Sequence, residues 1–117
     1  MHGSASPHEI RNTFVASGPS FKQSETSSAP TGNIDIAPTA LHVLGLDVPS
    51  HMDGRVVDEA LQGGPVPTLS EIGSRKTVGE PWKDEQQNSF RYFASHVIFK
   101  GSKYLEAAGI EKVATGD

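Results

Sequence analysis

The stretch Asn33-Ile34-Asp35-Ile36-Ala37-Pro38-Thr39-Ala40-Leu41-His42-Val43-Leu44-Gly45 constrains this chain more than any other. Its apolar residues, Ile36, Ala37, Ala40, Leu41, Val43 and Leu44, recur at helical spacing. Asp35 stands at the N-cap position, where a carboxylate accepts bonds from the first unpaired backbone amides. Pro38 falls in the first turn, where its missing N–H costs nothing. Gly45 supplies a left-handed stop, and Pro49 lies beyond it. A helix over 36–44 follows. The loop Leu46-Asp47-Val48-Pro49 leaves it, and residues 56–61 are expected to add a further helical turn.

The signals on either side are shorter. Ser6-Pro7-His8-Glu9 reads as a capped turn or short helix with Ser6 as cap. Thr13-Phe14-Val15-Ala16 is a β-prone run closed by Ser17-Gly18-Pro19. Residues 23–32 are mostly Ser, Thr, Pro and Gly and read as a surface loop. Residues 62–89 are polar, open on Gly63-Gly64-Pro65-Val66-Pro67 and read as loop-rich. Residues 91–108 read as a β-hairpin about Gly101-Ser102, pairing Phe99 with Tyr104 and Ile98 with Leu105.

A chain of 117 residues fits one ordinary domain. With 35% hydrophobic residues, 12 Gly and 8 Pro, it sits at the polar, loop-rich end of globular composition. The absence of cysteine removes disulfide frameworks, thiolate zinc sites and cysteine nucleophiles. Ten scattered Lys and Arg against 14 Asp and Glu leave no electrostatic footprint for a nucleic-acid polymer. No apolar run approaches the about 20 residues of a membrane span. Residues 1–7 lack the charged and apolar regions of a signal peptide, and nothing locates the protein in a compartment.

No motif supplies a complete active site. None of the five histidines has the i, i+4 spacing of a helical zinc pair; His42 reads as part of a helix face. No G-x-S-x-G elbow presents a serine, so a nucleophile at Ser4 or Ser6 with His8 lacks an orienting acid. Gly63-Gly64 lacks the Lys-Ser/Thr of a phosphate loop. Asp53-Gly54-Arg55 reads as a turn whose arginine pairs with a nearby carboxylate.

The order of the motifs adds what composition does not. His2-Gly3-Ser4-x-Ser6-Pro7, then Asn12-Thr13-Phe14-x-Ala16-x-Gly18-Pro19-x-Phe21-Lys22, resembles the C-terminal part of alkaline-phosphatase-superfamily hydrolases. The nearest branch is type I phosphodiesterase/nucleotide pyrophosphatase, with its sulfatase-like relatives. Asn33–Thr39 running to Leu44-Gly45 is similar to the superfamily's "D-I-A-P-T … L-G" helix, and His51-Met52-Asp53-Gly54-Arg55-Val56 to the segment after it.

The resemblance implies a partial α/β domain, the C-terminal piece of an alkaline-phosphatase-like α/β sandwich. Residues 1–61 would supply a strand, a loop and a covering helix; 62–89 a polar segment; 90–117 the hairpin and tail. It implies a phosphoester hydrolase that uses two divalent metal ions, commonly zinc, to stabilise the attacking and leaving oxygens. His2 is the one residue carried over as a metal ligand. The family's nucleophile and remaining ligands precede its His-Gly motif, so no catalytic residue is assigned, and Arg55 and His51 are left without a role. The chain is expected to be inactive by itself, with weak metal binding, an exposed apolar patch and an open sheet edge that promotes self-association. The competing expectation is a small non-enzymatic binding or oligomerising module on the same scaffold.

Overall fold

The computed structural model describes residues 4–114. The elements are α1 (Pro7–Ile10), a 3-10 turn (Asn33–Asp35) running into α2 (Ile36–Val43), 3-10 turns at Asp58–Ala60 and Leu69–Glu71, and four strands: β1 (Gly73–Val78), β2 (Trp82–Lys83), β3 (Ser89–Phe99) and β4 (Ser102–Lys112). This is the mixed α/β composition expected, with one clear helix and a C-terminal hairpin. Ser6 caps α1, its Oγ accepting from the His8 N–H at 3.3 Å. The further turn after Val56 is the 3-10 turn at Asp58–Ala60.

The end of α2 follows from its last residues. Gly45 takes φ +74°, a conformation that costs glycine little. This lets the Gly45 N–H donate to the His42 carbonyl at 3.0 Å and the Leu46 N–H to the Leu41 carbonyl at 2.9 Å. That bond pair is the Schellman closure of a helix C-terminus.

β3 is the central strand, pairing with β1, β2 and β4. A strand has only two edges, so β1 and β2 share the edge that β4 leaves. β2 runs antiparallel to β3, with Trp82 opposite Phe90 and Lys83 opposite Ser89. The hairpin is longer than 91–108, and its turn is one residue earlier than expected. Lys100 and Gly101, at φ 48° and 82°, make the connection, and Ser102 already belongs to β4. Two consecutive left-handed residues match the right-handed twist of the flanking strands. The strands therefore close across Phe99 and Ser102 rather than pairing Phe99 with Tyr104. Side chains alternate, so this shift preserves the faces: Phe99, Ser102 and Tyr104 are all buried, at 1%, 3% and 7% exposure.

Two further expectations are corrected. Residues 13–16 form no strand and are exposed, because a β-prone run becomes a strand only where it joins a ladder. Conversely β1 and β2 lie in the stretch read as loop-rich. All six β1 residues, Gly-Ser-Arg-Lys-Thr-Val, are exposed, so no apolar alternation marks them.

The chain forms two compact units, one from residues up to Asn12, Ser74–Val97 and Leu105 onward, the other from Thr13–Gly73 and Ile98–Tyr104. In the first, Trp82 packs beside Phe90 and Tyr92, with ring centroids at 5.2 and 6.4 Å. Lys76 and Arg91 both pair with Glu111, at 2.6 and 2.7 Å, and hold its carboxyl below the usual carboxylate range. In the second, residues 20–22 lie antiparallel to 60–62, with a bridge between Phe21 and Leu61. Among the described residues, the buried hydrophobic side chains, Ala29, Val57, Leu61, Phe99 and Tyr104, all belong to this second unit.

Candidate functional site

The buried polar residues of the second unit are Asp35, Thr39, Arg55, Glu59 and Ser102. Asp35, Glu59 and Tyr104 form one hydrogen-bonded network centred on Arg55, and Thr39 and Ser102 bond to backbone groups two residues to either side of it. Its Nη1 and Nη2 donate to Glu59 Oε2 and Oε1 at 2.8 and 2.7 Å, a bidentate fork to a residue four positions on. Nη1 also donates to the Val56 carbonyl at 3.3 Å and Nη2 to the Pro30 carbonyl at 2.8 Å. Nε donates to the Tyr104 hydroxyl at 3.1 Å. Every guanidinium N–H is thereby used. The Phe99 ring lies against the cation, 4.7 Å from Cζ to centroid. Burial alone would lower the arginine's pKa, but the bonds and charges of Glu59 and Tyr104 outweigh it and raise it.

Asp35 is the second node and has no exposed surface. It occupies the N-cap of α2, as its sequence position suggests, but its carboxylate does not cap the helix. Oδ2 accepts from the Gly32 N–H at 2.9 Å. Oδ1 accepts from the Arg55 N–H at 2.9 Å and from the Tyr104 hydroxyl at 3.1 Å. The 3-10 turn preceding α2 points this side chain inward, so tertiary donors replace the helix's own amides. Thr39, one turn on, accepts from the Val57 N–H at 3.0 Å. Ser102 donates to the Asp53 carbonyl at 2.9 Å. On the surface, Lys100 pairs with Asp58 at 3.0 Å.

Tyr104 links the two nodes, accepting from Arg55 and donating to Asp35. Burial, reinforced by the bond to Asp35, pushes its pKa from 10.0 up to about 12, against the opposing pull of Arg55. The unfolded state therefore loses this proton first as pH rises. The stabilisation is complete below about pH 10 and is lost as pH approaches 12. Unfolding free energy should fall over this window in the parent chain and fall less steeply in Tyr104→Phe, as urea titrations at stepped pH would read. Parallel slopes for the two would exclude the linkage. At neutral pH the same variant should lose about 1 kcal/mol for the missing hydroxyl.

The arrangement is closed on itself: Arg55 and Glu59 are ion-paired, the Asp35 carboxylate is held by three hydrogen bonds and the guanidinium donors are filled, so it holds the chain together rather than offering a reactive group. Arg55 does pair with a nearby carboxylate, as the Asp53-Gly54-Arg55 turn suggested. Glu59, four residues from Arg55, was legible as an i, i+4 partner; Tyr104 and Thr39 carried no local signal. Among the described residues, no three His, Asp or Glu side chains converge as a metal ion requires. His8, His42 and His51 are exposed. His96 on β3 is half-buried, and its Nδ1 has no hydrogen-bond partner. His2 lies outside the described residues. Among these residues, no helix is long and apolar enough to cross a membrane.

No family model matches the chain, and no solved structure matches it. Two curated proteins do match in part. A Sulf-1 extracellular sulfatase homolog of Caenorhabditis elegans is 33% identical over 86 residues, covering 72% of this chain and 11% of that protein. The extracellular sulfatase SULF-1 homolog of Drosophila melanogaster is 37% identical over 86 residues, covering 72% of this chain and 7% of its own length. Wherever it lies, a segment covering 72% of 117 residues includes both α2 and Arg55. The distant partial homologues of this chain are thus sulfatases, members of the alkaline phosphatase superfamily.

Proposed function

We propose that this chain works as part of a sulfatase-like hydrolase of the alkaline phosphatase superfamily, supplying scaffold and one metal ligand, His2. The observation that carries this reading is the partial match to two sulfatases, through α2 and Arg55. The Arg55 network supports it: Asp35 and Arg55 are consumed in holding segments together, which leaves bond-breaking to groups elsewhere in such an enzyme. Those groups would be a nucleophile and the remaining ligands of two divalent ions, commonly zinc in the family. The described residues do not fit a metal site by themselves, and no step is derived through one.

Sulfate esters are the substrate class favoured by the relatives. A phosphodiester is the second reading, favoured by the order of the His2-Gly3, Asp35–Thr39 and Asp53-Gly54-Arg55 motifs. Both esters present a tetrahedral centre with anionic oxygens, which the same two-metal clamp suits.

The test offers the isolated chain p-nitrophenyl sulfate and bis(p-nitrophenyl) phosphate with and without zinc. The expected result is no turnover of either, with weak zinc binding by calorimetry that His2→Ala removes. Stoichiometric zinc binding with turnover by the chain alone would overturn the reading. The 86-residue matching segment, exchanged into the C. elegans relative, should support hydrolysis of the sulfate ester; a chimera that folds but hydrolyses no sulfate ester would overturn the reading.

A further inference from the structure

At 3.6 residues per turn, α2 has two opposed faces. Pro38 and Thr39, with Asp35 just before the helix, are buried on one side. The other side carries Ile36, Ala40, Val43 and Leu44, at i, i+4, i+7 and i+8. Ile36 is 49%, Val43 38% and Leu44 71% exposed, and Ala40 is exposed too. Ile34 before the helix and Leu46 after it extend the apolar surface, at 43% and 56%. The helix thus turns Pro38, Thr39 and part of Leu41 to its own unit and leaves an aliphatic stripe outward, where an amphipathic helix ordinarily buries its apolar stripe. None of these six side chains is charged, so the surface suits an apolar partner.

We infer that this stripe is the docking face for the rest of a sulfatase-like chain, an apolar surface supplied in the same polypeptide. The inference rests on the proposed sulfatase reading. Two observations select this occupant over a second copy. The matching segment is only 11% and 7% of the relatives, so most of each relative lies outside it and can cover the stripe. The stripe itself is small, six side chains against the about 20–30 residues per partner of an ordinary stable interface. A surface that small does not offset the loss of translational and rotational freedom when two molecules meet. Within one polypeptide that loss is already covered by covalent linkage, which sets a high effective concentration.

The experiment places Ile36→Asp/Leu44→Asp in two settings, the isolated 117-residue chain and the C. elegans relative carrying this chain's matching segment. In the isolated chain the two carboxylates face water, so its circular dichroism and melting temperature should not change. In the chimera they should cut soluble yield at least tenfold, with Leu44→Gln giving a smaller loss. A substituted chimera that folds as well as the unsubstituted one overturns the docking face and leaves the sulfatase reading intact. An unsubstituted chimera that fails where the native relative folds overturns the sulfatase reading, and this inference with it. An isolated chain that sediments as a dimer, split by the same substitutions, assigns the stripe to a second copy and also overturns the inference.

Discussion

Arg55→Met is expected to cost about 3–5 kcal/mol, the range for breaking a buried ion pair from one side. The guanidinium holds Glu59 by two bonds, and the Glu59 side chain is 1% exposed. Without Arg55 that carboxylate remains desolvated with no partner, and Tyr104 and the Pro30 carbonyl each lose a donor. A loss of this size should lower the thermal midpoint by roughly 15 °C or more. Arg55→Lys should recover little, because an ammonium cannot make the planar fork or reach Tyr104 and Pro30 together. Arg55→Met with Glu59→Leu should recover more than half of the loss, since the uncompensated charge goes with its partner. Thermal and urea denaturation of the three variants would decide it. A loss under 1 kcal/mol for Arg55→Met would mean that the network adds nothing to folding.

The second large effect is expected at Gly54. A methyl group there would overlap the carbonyl of Ile34 and come within 2.9 Å of the Asp35 nitrogen. Pro38 bears on this contact: lacking an N–H, it cannot donate to the Ile34 carbonyl four residues back, and the Gly54 backbone occupies the adjoining space. Gly54→Ala must therefore push apart two backbones that a 2.9 Å bond from the Arg55 N–H to Asp35 holds together. The expected cost is about 3 kcal/mol. Gly45→Ala makes the useful comparison. Gly45 has φ +74°, but a methyl group there meets nothing within 4 Å. Its cost should stay near 1 kcal/mol, the ordinary penalty of a left-handed alanine. Conformation alone would rank Gly45 as the more sensitive site, and space reverses the order. Equal midpoints in urea for the two alanine variants would show that the close approach of 54 to 34 is absent in solution.

These two sites explain why the motifs are read so differently from sequence and from structure. In the sequence, Asp35–Thr39 stands out as a helix start and Asp53-Gly54-Arg55 as a turn of mixed charge. Their spacing gives no sign that Asp35 accepts from Tyr104 across 69 positions, or that the Arg55 N–H reaches back 20 positions to the same carboxylate. Only Glu59 lay within reach of local reasoning. The metal reading rests on His2 and the resemblance, not on a converging set of described side chains.

What the sequence determined by itself is local. The Ser6 cap, the start of α2 near Ile36, the Gly45 stop and the presence of a hairpin follow from residues within about five positions of each other. The physics there is a single turn's hydrogen bonds and allowed φ. Tertiary structure decided which carboxylate faces inward, which side of α2 is buried, and which polar stretch becomes β1. Those outcomes depend on groups brought from elsewhere in the chain. A carboxylate is buried where enough donors converge to replace its lost water, and an exposed strand exists only where a neighbour offers it an edge.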